Sequence, residues 1–170
     1  RLFQNDALLQ SYANTLIVGV ASTIIATFVG TMASYGMSKY KFKGKGIIDA
    51  LLYIPVVIPE IVLGISLLAI FNLSQIPMGL VSLTIAHATF CIPFVVFTVN
   101  ARLAGFDKSV EEAAMDLGAG RIKTFFAVTL PIILPGVIAG AFLSFTLSID
   151  DIIISFFTTG PGSNTFPLKI

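Results

Sequence analysis

The sequence predicts an all-α integral membrane domain. Of its 170 residues, 56% are hydrophobic and only 11% are charged, whereas a soluble domain carries about a quarter charged residues. The mean hydropathy is +0.96, and four segments are long and apolar enough to cross a bilayer, for which a helix needs about 20 residues. A chain of this composition lacks the polar surface of a soluble protein, which excludes the soluble classes.

The four predicted spans cover residues 12–37, 47–71, 80–101 and 131–154. Because the chain begins with Arg1 instead of methionine and stops within "FPLKI", we expect a fragment, with further spans missing at both ends. Residues 1–170 are therefore interpreted as one transmembrane domain with a long polar loop at residues 102–130. Cys91, the sole cysteine, lies in an apolar run and is interpreted as a packing residue.

The basic residues predict the orientation of the spans. The first connection holds Lys39, Lys41, Lys43 and Lys45, the third holds Arg102, Lys108, Arg121 and Lys123, and Arg1 and Lys169 lie near the ends. The second connection, "NLSQIPMG", has no basic residue. Since cytoplasmic loops carry the excess of Lys and Arg, the N-terminus is predicted outside and the 102–130 loop in the cytoplasm. Orientation and lipid headgroups explain these charges better than nucleic acid does.

The 102–130 loop contains a predicted short helix. Ser109 and Glu112 have the spacing of a capping box, in which Ser109 caps the amide of residue 112 while Glu112 reaches back. A helix over residues 110–117 follows, and Gly118 is placed to end it in the left-handed conformation. The next stretch, "RIKTFFAVTLP", predicts a second short helix at an angle to the first. From spacing alone, an ordinary interfacial helix remains an alternative to a docking element.

The same loop carries an extended motif. Glu-Ala-Ala, a glycine, an aliphatic residue and Leu-Pro stand at Glu112, Ala113, Ala114, Gly118, Val128, Leu130 and Pro131. The pattern resembles the signature loop of type I ABC-importer permeases, in which Ile is frequent where this chain has Val128. The resemblance implies that residues 110–117 form a coupling helix that docks into a cytoplasmic ATPase subunit. Ala113 and Ala114 would keep its docking face small.

The resemblance extends over nearly the whole chain. "IPVVIPEIVLGISLL" and "FTLSIDDIIISFFTTGPGSNTFPLKI" are similar to the second permease subunit of the spermidine/putrescine branch, whose members usually have six spans. This implies a type I transmembrane domain in the bacterial cytoplasmic membrane. The implied partners are ATPase subunits, a paralogous permease and an extracytoplasmic solute-binding protein. The chain has no G-x-x-x-x-G-K-[ST] motif, so we expect no cofactor here and ATP in a partner chain.

Three carboxylates lie inside the predicted spans. Glu60 is about 20 Å from the cytoplasmic end of the second span at 1.5 Å per residue, and Asp150 and Asp151 are similarly far along the fourth. Acids at membrane depth usually face a cavity or a partner, so these three are candidates for a substrate pathway in the outer half. Adjacent residues on a helix point about 100° apart, so the two aspartates are not expected to face one pathway together.

A polyamine has cationic amines joined by methylenes, so its site requires carboxylates and aromatic or aliphatic walls. The candidate walls are Tyr53, Phe71, Phe90 and Phe145. The structural alternatives are a Glu60 bonded to a partner subunit or to a freed backbone amide, and an aspartate pair that caps a helix end. His87 is interpreted as a hydrogen-bonded core histidine, and Gly136 and Gly140 as a helix-packing pair. No metal cluster or catalytic set is predicted.

The predicted function is therefore a non-enzymatic permease subunit of an ATP-driven polyamine importer that works by alternating access. One alternative is a permease of the same fold for another solute, such as an amino acid, thiamine or an anion. A second alternative is a secondary transporter, in which Glu60 or Asp150 would relay a proton or cation and no ATPase would be needed.

Overall fold

The structure is a computed structural model that describes residues 6–169; residues 1–5 and 170, including the terminal Arg1, lie outside the described residues. The helices are α1 (Asp6–Lys39), α2 (Lys45–Val57), α3 (Glu60–Leu73), α4 (Leu80–Leu103), α5 (Ser109–Asp116), α6 (Arg121–Thr124), a π-helical turn (Phe125–Thr129), α7 (Leu130–Asp150), α8 (Ile153–Thr158) and a 3₁₀ turn (Phe166–Leu168). Between residues 6 and 169 there is no β-strand, as the all-α prediction requires.

Helices α1, α4 and α7 pack against one another and form the core of the domain. Small residues bring α7 close to α4. A Cβ atom on Gly136 would lie 2.8 Å from the carbonyl oxygen of Thr98, and one on Gly140 would lie 3.0 Å from the Cα atom of Val95. The prediction that this pair of glycines serves helix packing is confirmed, in the manner usual for helices in membranes.

The second predicted span is not one straight helix. It consists of α2 and α3, and the chain direction bends by 113° between them. Ile58 lies between them with an extended backbone (φ −75°, ψ 136°), because the residue before a proline is driven out of the helical conformation. Pro59 then begins α3, its carbonyl oxygen accepting the amides of Val62 and Leu63. Glu60 is therefore the first residue after the bend and not a position midway along a helix.

The fourth predicted span also differs from expectation. The stretch "RIKTFFAVTLP" is not a separate short helix, because α6, the π turn and α7 continue as one 30-residue helix, Arg121–Asp150. Within the π turn, Leu130 donates its amide to the carbonyl of Phe125, five residues earlier. Pro131 follows directly, and its ring and missing N–H are incompatible with the regular α-helical bond to residue 127. The wider turn accommodates this proline.

The described part of the chain contains three helices long and apolar enough to span a membrane, and a fourth span if the bent α2–α3 pair is counted as one. Large apolar side chains cover the outside of these helices, for example Phe28, Phe97 and Phe142, each at least 65% exposed. Apolar surface of this extent is typical of a face that contacts lipid or another membrane-embedded subunit.

Candidate functional site

An acidic cavity of about 300 Å³ lies where the start of α3 meets the end of α7. Its lining residues are Glu60, Phe90, Thr146, Leu147, Asp150, Asp151, Ile152 and Ile153. The structure thus brings together all three carboxylates and one aromatic residue, Phe90, that the sequence proposed for a substrate pathway. The cavity is about 30 Å along α7 from Leu130, at 1.5 Å per residue.

Two of the three carboxylates, those of Glu60 and Asp150, are free. Both residues are exposed, and neither side chain has a hydrogen bond or ion pair within residues 6–169. Glu60 lies in the first turn of α3, where the helix dipole favours an anion. Asp150 is the last residue of α7, where the same dipole disfavours one. Helix stability therefore explains a carboxylate at position 60 but does not explain one at position 150.

Asp151 has a structural role. Its carboxylate accepts the backbone amides of Ile154 at 3.2 Å and Ser155 at 2.7 Å, so it caps the start of α8, and the residue is only 8% exposed. Asp150 and Asp151 nevertheless line the same cavity, whereas the sequence predicted that they point in different directions. The helix ends at Asp150, and Asp151 is extended (φ −68°, ψ 129°), so the 100° rule for a continuous helix does not apply.

A buried polar network supports the break between α7 and α8. One ring nitrogen of His87 lies 2.7 Å from Ser148 Oγ on α7, and the other lies 3.0 Å from Ser155 Oγ on α8. The second nitrogen is also 3.5 Å from Asp151 Oδ2, and Ser148 continues the network to Ser22 on α1 at 3.1 Å. His87 is 1% exposed, so it is a hydrogen-bonded core histidine, as interpreted from the sequence.

The remaining candidate aromatic residues lie elsewhere. Tyr53 is half-buried on α2 and is not among the residues that line the acidic cavity. Phe71 is buried in the hydrophobic core, and Phe145 packs toward Gly19 of α1. Of the four aromatic walls proposed from sequence, only Phe90 therefore contacts the cavity in this arrangement of the helices.

In the 102–130 loop, α5 begins with a different cap from the one predicted. Ser109 makes no capping hydrogen bond to the amide of residue 112; instead its own amide donates to Asp107 Oδ1 at 2.9 Å. This backbone bond lowers the pKa of the Asp107 carboxyl below its ordinary value. The Glu112 amide donates instead to the Lys108 carbonyl at 3.2 Å, because α5 already begins at Ser109. At the other end, Gly118 has φ +88°, so the predicted left-handed termination is present.

The two faces of α5 differ. Glu112, Ala113 and Asp116 are exposed, whereas Ala114 and Met115 are half-buried against the rest of the domain. Ala113 and Ala114 therefore do not share one outward face, although both belong to the predicted docking motif. Three further motif residues are in the helix that follows: Val128 in the π turn, and Leu130 and Pro131 in the first turn of α7.

Glu111 is the residue of this loop that the sequence analysis missed. It is only 7% exposed, pairs with Lys39 Nζ of α1 at 3.1 Å, and accepts the hydroxyl of Thr129 in the π turn. From the sequence, Lys39 was interpreted only as one of the basic residues that set the orientation. The helical spacing of Glu111 from Ala114 and Met115, three and four residues on, was the available signal that it faces inward.

Comparison with known proteins identifies the family. A family model described as "Binding-protein-dependent transport system inner membrane component" matches residues 11–170. The chain is 44% identical over 169 residues to the "Spermidine/putrescine transport system permease protein PotC" of Escherichia coli (strain K12), covering 99% of this chain and 64% of that protein. It is 40% identical over 170 residues to the PotC protein of Haemophilus influenzae, covering 100% and 66%.

A third relative is the "Putrescine transport system permease protein PotI" of Escherichia coli (strain K12), with 35% identity over 176 residues, 99% of this chain and 63% of that protein. The chain thus spans slightly less than two thirds of the length of these relatives. The family match covers all the described helices from residue 11 onward and agrees with the all-α, membrane-spanning fold. The chain belongs to the binding-protein-dependent transport system inner membrane components, the permease family of ABC importers.

Proposed function

We propose that this chain is the transmembrane part of a permease subunit in an ATP-driven polyamine importer. The observation that carries the cargo assignment is the pair of free carboxylates, Glu60 and Asp150, on one cavity with Phe90. A linear polycation is recognised by separated anions and by ring faces between them. The spermidine and putrescine permeases among the relatives support the same cargo.

In the proposed cycle, Glu60 and Asp150 receive ammonium groups, and Asp151 is a positioning residue. Its two carboxylate oxygens already accept amides of α8, which leaves less capacity for a ligand. Phe90 supplies an apolar wall for the methylene segments or a ring face for an amine. Tyr53, which lies outside the cavity, joins the pathway only if α2 moves relative to α7 during transport.

Energy input is assigned to the opposite end of the domain. The exposed face of α5, with Glu112 and Ala113, is proposed to dock into an ATPase subunit that binds and hydrolyses ATP. Closure of the ATPase pair would then move α5, open the spans outward to accept solute from a binding protein, and reset them on hydrolysis. A paralogous permease would provide the other half of the pathway. The family's dependence on a binding protein supports this assembly.

The docking assignment has a direct test in Ala113→Asp. Ala113 is exposed, so the domain should fold normally, whereas docking would bury a new charge without a partner, which is costly. Co-purification of the ATPase with the permease should fall more than tenfold. Asp116→Asn, an exposed change on the same helix, is the matched control and should leave co-purification intact. Normal co-purification and uptake with Ala113→Asp would contradict the docking role.

The function as a whole is tested by uptake of labelled spermidine into proteoliposomes that contain the whole permease with its partner subunits and binding protein. Uptake that requires ATP supports both the class and the cargo. Uptake without ATP would favour a secondary transporter. A complex that hydrolyses ATP but takes up no spermidine or putrescine would keep the permease assignment and overturn the cargo, in favour of another solute such as an amino acid, thiamine or an anion.

A further inference from the structure

Two adjacent glutamates on α5 are in opposite environments. Glu112 is exposed, and Glu111 is 7% exposed. Glu112 belongs to the motif that implies docking to an ATPase, and Glu111 does not. A buried carboxylate is retained in a fold only where its partners compensate for its lost hydration. The partners of Glu111 therefore indicate what this side chain does.

The Glu111 carboxylate connects three parts of the chain. One oxygen, Oε2, lies 3.1 Å from Nζ of Lys39, the last residue of α1. The other, Oε1, accepts the hydroxyl of Thr129, the last residue of the π turn. Both oxygens are thus used within the chain, so Glu111 has little capacity to bind a partner subunit and is well placed to hold α5 against two spans at once.

Neighbouring contacts fix the same junction. Lys39 also donates to the Tyr35 hydroxyl at 2.8 Å, and the Tyr35 ring lies 4.7 Å from that of Phe125 in the π turn. Lys108, directly before α5, donates to the Ser38 carbonyl of α1 at 3.4 Å. The end of α1, the start of α5 and the π turn therefore form one packed unit with Glu111 at its centre.

The π turn connects this packed unit, through α7, to the acidic cavity. π-helical turns are uncommon and occur frequently at functional sites. This one separates α6 from α7, and α7 ends some 30 Å further on, at 1.5 Å per residue, with Asp150 in the acidic cavity. A displacement of α5 that pulls on Thr129 therefore acts on the helix that carries one wall of that cavity.

We infer that Glu111 is a positioning residue that transmits the movement of α5 to α1 and α7, by holding Lys39 and Thr129 with its two carboxylate oxygens. This inference rests on the proposed function, in which α5 receives the movement of an ATPase. Glu112 and Ala113 face the ATPase, and Glu111 passes the displacement inward. Loss of Glu111 should uncouple ATP hydrolysis from uptake without detaching the ATPase.

The test is the ratio of polyamine taken up to ATP hydrolysed, in proteoliposomes that contain the complete transporter. In Glu111→Gln the ratio should fall at least fivefold, while ATPase co-purification stays within twofold of the unaltered complex. Asp116→Asn, an equivalent acid-to-amide change on the exposed face of α5, should leave both values unchanged. Thr129→Val, which removes one hydroxyl at nearly constant volume, should lower the ratio by a smaller factor and remains informative if Glu111→Gln folds poorly.

The charge-exchanged double variant Lys39→Glu with Glu111→Lys restores the ion pair and should recover part of the ratio, which a general loss of stability would not predict. An unchanged ratio in both Glu111→Gln and Thr129→Val would overturn the inference. Loss of the ATPase from Glu111→Gln would also overturn it, since Glu111 would then belong to the docking surface.

A second readout separates this inference from the cargo assignment. Amide hydrogen exchange of residues 121–135 should change when ATP is added to the unaltered complex, and this change should be lost in Glu111→Gln, whatever the solute. If the unaltered complex takes up no polyamine, the proposed cargo fails, and the exchange measurement still decides the role of Glu111: an ATP-dependent change that persists in Glu111→Gln contradicts it.

Discussion

The acidic cavity and the α1–α5–π junction use carboxylates in opposite ways. At the cavity, Glu60 and Asp150 have no partner within residues 6–169, although Asp150 occupies the end of α7 where the helix dipole opposes it. At the junction, Glu111 is buried and both of its oxygens are bonded within the chain. A carboxylate without a protein partner is open to a ligand, and one with two partners holds the fold together. In the proposed function, one end of the domain therefore recognises the solute and the other transmits movement.

The largest effect is expected when the two free carboxylates of the cavity are removed together. Charge-assisted hydrogen bonds contribute about 1.5–3 kcal/mol each, so we expect Glu60→Gln and Asp150→Asn each to raise the half-saturating polyamine concentration about 10- to 100-fold. The double variant should raise the half-saturating concentration more than either single change does. Stability should change little, because neither side chain has a hydrogen bond or ion pair within residues 6–169 and a charge at a helix terminus contributes only about 0.3–1 kcal/mol. The measurement is concentration-dependent uptake of spermidine in proteoliposomes.

The control for this pair is Asp49→Asn, an acid-to-amide change on α2 outside the cavity. It should leave the half-saturating concentration unchanged. A normal half-saturating concentration in the Glu60 and Asp150 double variant would contradict a role for either residue in the substrate pathway.

Asp151 should behave as a structural residue despite its place in the cavity. Asp151→Ala leaves the Ile154 and Ser155 amides without their acceptor, and loss of such a cap costs about 1 kcal/mol. We expect a lower midpoint of thermal unfolding in detergent, where Glu60→Gln should show a smaller decrease, because it loses only its interaction with the dipole of α3. If Asp151→Ala instead kept its stability and lost affinity for polyamine, Asp151 would join the recognition set and the division among the three acids would be wrong.

The smallest expected effect concerns the end of α5. Gly118 has φ +88°, a conformation that costs a residue with a Cβ atom about 1 kcal/mol or more. Gly118→Ala should therefore increase hydrogen exchange of the α5 amides slightly and weaken ATPase co-purification by a few-fold. Gly120→Ala, at φ −68°, is the matched control without this strain. Equal exchange in the two variants would show that α5 does not depend on its left-handed termination.

The sequence was sufficient for features that depend on composition and local backbone preference. The first and third predicted spans, 12–37 and 80–101, lie wholly within α1 and α4, because an apolar run of the right length leaves few alternatives. Gly118, Gly136 and Gly140 were also interpreted correctly, since each reflects the absence of a Cβ atom at one position.

Features that depend on contacts between distant residues, on the direction of a helix axis or on the exact residue at which a helix begins could not be predicted in this way. The bend between α2 and α3 depends on Pro59, but apolar composition says nothing about the direction of a helix axis. The predicted cap of α5 is absent because the helix begins at Ser109 itself, and the Glu112 amide donates to the Lys108 carbonyl. Helical spacing could indicate that Glu111 faces inward, but its partners Lys39 and Thr129 could be identified only once the fold brought them to it.

The most direct test of the whole account measures uptake and ATP hydrolysis together in the Glu60→Gln/Asp150→Asn double variant and in Glu111→Gln. The cavity variant should have a higher half-saturating polyamine concentration but the normal uptake per ATP at saturation. Glu111→Gln should keep the normal half-saturating concentration and have a lower uptake per ATP. If both variants changed the same quantity in the same way, recognition and transmission would not be separate functions of the two ends, and the account would be contradicted.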